Sequence, residues 1–118
     1  MDLREAVLRF HQGEMIKTML INAGNLAGEL AKIGGEDRAA AVKLYKGVLE
    51  QIRGEIKTAA AMTGLAGLAG VDGKVREAIW EIHINRPEEA NRLLGEAISG
   101  TVTAIESATT RLYQEGLI

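Results

Sequence analysis

The chain has only two imidazoles, His11 and His83, and they sit in similar contexts: REAVLRFH at residues 4–11 and REAIWEIH at residues 76–83. If the short helices carrying them met about a pseudo-twofold axis, the rings would converge with Glu14, Glu81 and Trp80 in a polar and aromatic pocket. His11, Glu14, Trp80 and His83 are therefore the candidate ligand-binding residues. The spacing does not favour a metal. Glu81-x-His83 is an i, i+2 pair, which does not share a helical face, and Gly13 interrupts His11-x-x-Glu14. Neither a Glu-x-x-His nor a His-Glu-x-x-His motif occurs, so di-iron and zinc-protease sites lack their ligands. The chain has no cysteine, which excludes disulfides, thiolate metal sites and thiol catalysis. No metal, cofactor or catalytic residue is expected.

The stretch GLAGLAGVDGKV, residues 64–75, brings glycines toward Lys74 in a way that invites comparison with a phosphate-binding loop. A Walker loop needs glycine five residues before its Gly-Lys and Ser or Thr after the lysine, but Leu68 and Val75 occupy those positions. The stretch reads instead as a Gly-rich connection near 64–73, with Val71-Asp72-Gly73 as the turn. Glu88 and Glu89 invite a similar comparison with the paired carboxylates of all-helical nucleotide pyrophosphatases. The following positions hold Arg92 and Leu93, so the acids read as residues matched to the positive end of a helix.

The elements that must position these residues are helical. Apolar residues at 16, 19, 20, 23, 26, 27, 30 and 33 follow one helical face, and Ala41, Val42, Tyr45, Val48, Leu49, Ile52, Ile56 and Ala59 follow another. Pro87, suited to a first helical turn, opens a third long pattern through Ala90, Leu93, Leu94, Ala97, Thr101, Ile105, Ala108 and Leu112. The spacing predicts helices near 2–12, 14–33, 36–62, 74–84 and 87–115, the first two either divided at Gly13 or joined as one rod. The expected fold is all-α: one domain over 1–118, an antiparallel bundle of about three long and two short helices. The echo between residues 4–11 and 76–83 leaves two readings open, a pair of repeated helical hairpins or two amphipathic helices with similar needs.

The balance of 14 basic and 16 acidic residues argues against a nucleic-acid-binding face. The longest uncharged run, Thr58 to Val71, is too short and too rich in glycine for a membrane span. The charges in MDLREAVLRF do not suit a signal peptide, so a cytoplasmic location is expected. LYKG at residues 44–47 and EEANRLL at residues 88–94 resemble segments of flagellin export chaperones, which are small helical bundles. The spacing between the two segments is too long and the Ser-Pro helix start of that family is missing, so no family is assigned.

Ala23, Gly24, Ala27, Gly28 and Ala31 form a small-residue row suited to close helix packing. Helices of unequal length leave apolar stripes that a second copy would cover, which predicts a homo-oligomer, with a dimer favoured and this row at its seam. The function that follows is a non-enzymatic helical interaction or scaffold module that self-associates and offers a face to a protein partner. The alternative is a ligand-binding or enzymatic bundle built around the two histidines.

Overall fold

The computed structural model describes all 118 residues as five helices with no strand: α1 (Leu3–Leu30), α2 (Asp37–Thr63), α3 (Leu68–His83), α4 (Pro87–Ala104) and α5 (Glu106–Gln114). Two are long, two intermediate and one short, rather than three long and two short.

Residues 2–33 form one rod through most of their length. The Asp2 carboxylate caps its start by accepting the Glu5 N–H at 2.8 Å. Gly13 does not divide it, because the missing side chain makes room for a neighbour: a Cβ there would lie 2.5 Å from Ile105 Cγ2 and 2.7 Å from Cδ1. A mid-helix glycine costs about 1 kcal/mol relative to alanine, and this close approach offsets it. Gly35, at φ +66°, turns the chain into α2. The last turn of α1 has no basic residue, so Arg38 of α2 serves its carbonyls, donating to Leu30 O at 3.0 Å and Ile33 O at 2.9 Å. Arg38 also donates to the Asn85 side chain, tying this turn to the α3–α4 turn.

The Gly-rich connection is shorter than the sequence suggests. Gly64, at φ +68°, closes α2 by donating its N–H to Ala60 O, and α3 begins at Leu68. Gly70 and Gly73 are therefore helical, and Val71-Asp72-Gly73 is not the turn. The cause is burial: Leu68, Val71, Val75, Ala78 and Ile82 form a continuous core-facing stripe, whose transfer from water outweighs the glycines. Asp72 faces α2, where its carboxylate accepts from Arg53 Nε at 2.9 Å and from Nη2 at 3.3 Å.

The expected helix over 87–115 is interrupted at Ile105, whose φ of −101° and ψ of 8° leave helical geometry. Thr101, fully buried, returns its hydroxyl to Ala97 O at 2.9 Å, a bond that bends helices. Backbone bonds from Ile105 to Thr101 O and from Thr109 to Ile105 O keep α4 and α5 joined across the interruption.

Helices α1 to α4 form an antiparallel ring in which each packs on its chain neighbours and α4 closes onto α1, so α1 and α3 lie on opposite sides of the core. Nineteen buried residues make that core, and Tyr45 is its one aromatic. A separate cluster of Ala6, Ala108 and Leu112, with Phe10 against it, joins the start of α1 to α5. This pair projects as a two-helix arm from an elongated molecule, 53 × 23 × 17 Å. The two echoing segments hold different places: residues 4–11 lie near the start of α1, whereas residues 76–83 end α3.

The small-residue row divides between inside and outside. Ala23 and Ala27 are buried by the chain's own helices, which leaves them little surface to offer a second copy. Gly24 lies beside the Asn91 side chain, Gly28 faces open space and Ala31 is exposed.

Candidate functional site

The structure does not bring the two histidines together. His11 is exposed on the arm and lines a surface hollow with Leu3, Arg4, Val7 and Leu8. His83 sits at the end of α3, across the core from α1, in a depression with Lys46, Gly47, Glu50, Arg76, Ile79 and Trp80. Glu14 pairs with Lys17 at 2.9 Å on its own helix. Of the four candidate residues only Trp80 and His83 meet, one helical turn apart, with ring centroids 5.5 Å from each other.

Around Trp80 the surface is lined mainly by charged side chains. Lys46 Nζ lies 3.2 Å from His83 Nδ1, within hydrogen-bond reach. On the other side of the indole, Arg76, Glu77, Glu81, Glu89, Arg92 and Leu93 line a hollow of about 290 Å³. Of its two cations Arg92 is engaged, donating to Glu89 and to Glu96, and the hydrogen bond from Arg92 holds the Glu89 carboxyl below its ordinary range, while Arg76 enters no ion pair. One Glu81 oxygen is enclosed 3.3 Å from Arg86 Nε, outside hydrogen-bond geometry. No group of three His, Asp or Glu side chains is placed to share a metal ion.

A larger feature runs along the seam of α1 and α2. Its first section, about 830 Å³, is lined by Met15, Met19, Asn22, Ala23 and Leu26 of α1 and by Val48, Gln51, Ile52, Gly54, Glu55 and Thr58 of α2. A second section of about 240 Å³ continues it, lined by Leu26, Glu29, Leu30 and Ile33 against Ala41, Leu44, Tyr45 and Val48. Leu26 and Val48 belong to both, so the two form one groove. Along α2, from Ala41 to Thr58, it follows about 26 Å of helix.

The groove exists because the apolar stripe of α1 is wider than its neighbours can cover. Ile16, Leu20, Ala23, Ala27 and Leu30 go to the core, while Met19, Leu26 and Ile33 stay at its edge. On α2, Leu44 remains 75% exposed beside buried Tyr45. The floor is pinned by the Tyr45 hydroxyl, which donates to Ala23 O at 2.6 Å across the two helices. Burial pushes that phenol up to about 12, so it remains a neutral donor through the physiological range. The rim charge is one-sided: Glu29 and Glu55 line the groove, and no lysine, arginine or histidine does. Glu29 pairs at 3.3 Å with solvent-exposed Lys32, whereas Glu55 enters no ion pair.

In the sequence Met19, Leu26, Ile33 and Val48 read as core stripe, whereas Met15 and Glu55 fall outside every stripe and Leu44 is marked only by the LYKG segment. The width of the α1 stripe was the available signal, since a single face would have held fewer apolar positions. No protein-family model, curated protein or solved structure matches the chain. No helix is long and apolar enough to cross a membrane.

Proposed function

We propose that this chain is a non-enzymatic helical protein-interaction module that self-associates and presents its α1/α2 groove to a protein partner. The observation that carries the reading is the groove itself: a continuous apolar channel on a bundle whose core is already complete without it. Large apolar side chains left uncovered in a contiguous row mark interaction surfaces, whereas scattered ones do not.

Self-association falls to the arm. Leu3, Val7 and Tyr113 are exposed there at 38%, 49% and 73%, on a pair of helices that has no second layer. Asp2, Arg4, Glu5 and Arg9 interleave both signs of charge on the same segment, so two arms can meet with opposite charges paired. The buried Ala23 and Ala27 leave the small-residue row less suited to that role. Sedimentation velocity at micromolar concentration tests this part of the reading. The wild-type chain is expected at no less than twice 12.7 kDa and Val7→Glu at the monomer mass. A compact wild-type monomer would refute self-association.

The ligand-binding alternative keeps one observation in its favour, the adjacent Trp80 and His83 rings beside Lys46. Its two hollows, about 290 and 440 Å³, are smaller than the main section of the groove, and His11 and Glu14 do not contribute to them.

A further inference from the structure

We infer that the occupant of the α1/α2 groove is an amphipathic helix whose apolar stripe is flanked by basic residues. This rests on the interaction reading above and names the class of partner. Both walls are helices whose backbone groups are bonded within themselves, so an extended segment would find no sheet edge to pair with. A helix arrives with its own backbone satisfied and needs only an apolar trough. Met15, Met19, Leu26 and Val48 provide one, and the two thioethers adapt to different side chains.

Charge then selects among helices. Glu29 and Glu55 are the only charged residues on the lining; Glu29 pairs with exposed Lys32 outside it, and Glu55 has no ion-pair partner anywhere in the chain. A lysine or arginine on the flank of a docked helix would pair with them. A second copy of the same groove would bring carboxylate against carboxylate, a juxtaposition that opposes association. The partner helix is thus a basic one from another protein rather than this face of a second copy.

The test uses two fluorescein-labelled model peptides of about 18 residues, the length that spans the groove at 1.5 Å per residue. Both carry leucine at i, i+3, i+4 and i+7 on an alanine background; one is flanked by lysine, the other by glutamate. Anisotropy titrations are run against the wild type, Glu55→Lys and Leu26→Glu, with circular dichroism confirming that each variant is folded. The wild type is expected to prefer the lysine peptide by about tenfold, a preference that added salt shrinks. Glu55→Lys should narrow or invert it, and Leu26→Glu should weaken both peptides. Equal affinities that Leu26→Glu still weakens would overturn the charge selection and leave the docking groove standing. Binding untouched by Leu26→Glu, or no binding of either peptide, would overturn the inference that a helix docks here. A wild-type dimer that Leu26→Glu dissociates would assign the groove to a second copy and overturn it as well.

Discussion

Tyr45 places a phenol in a core otherwise made of aliphatic groups, and its one hydrogen bond crosses from α2 to the backbone of α1. Removing the hydroxyl alone, in Tyr45→Phe, should cost about 1 kcal/mol in urea denaturation, the net worth of a buried neutral hydrogen bond. The same burial gives a pH signature. The folded phenol titrates at about 12 against an ordinary 10.0, so between those values the native chain holds a proton that the unfolded chain has lost. Stability from this group is whole below pH 10 and drains away as pH rises through about 12. A Tyr113→Phe background leaves Tyr45 as the only tyrosine, and its phenolate absorbance should appear only at the higher value; titration near 10 would place the hydroxyl in water. The sequence made Tyr45 legible as a face residue but not its partner, because Ala23 O is a backbone group with no residue-type signature. The histidines show the same limit. Their local contexts were readable, whereas their separation follows from α1 and α3 standing diagonally across the core, a relation no local pattern carries.

Helices were legible wherever an apolar stripe recurred at helical spacing, and the Asp2 cap and the Pro87 start were legible from residue type. The misread boundaries share one cause. Glycine was weighed as a local breaker, while in α3 the burial of Leu68 and Val71 decided the outcome, and at Gly13 the decision lay with Ile105, more than ninety residues away. Gly13→Ala should therefore destabilise the chain by about 1–3 kcal/mol through overpacking against Ile105. Adding Ile105→Ala should recover part of that loss, so a double-mutant cycle in thermal or urea denaturation will show strong coupling between the two sites; additive effects would contradict the close approach. Gly28 makes the opposite case. A Cβ there meets nothing within 4 Å, so Gly28→Ala should stabilise α1 by up to about 1 kcal/mol. Gly28→Leu should be tolerated as well, with oligomer mass unchanged. Loss of both stability and association in the leucine variant would return the seam to the small-residue row.

At the scale of the molecule, a four-helix body with its own core carries two further features, the two-helix arm and the α1/α2 groove. The groove was the least legible part of the chain, since it is the difference between the width of a stripe and the area its neighbours cover, and only packing fixes that area. The central claim is that another helix docks there. Amide chemical-shift mapping of the isotopically labelled protein, titrated with the lysine-flanked peptide, tests it most directly. The claim predicts perturbations confined to residues 15–33 of the α1 wall and 41–58 of the α2 wall, strongest near Leu26 and Val48, where the two sections of the groove meet. Perturbations centred on Trp80, His83 and Lys46, with the α1/α2 walls unchanged, would contradict it and move the site to the surface around the indole.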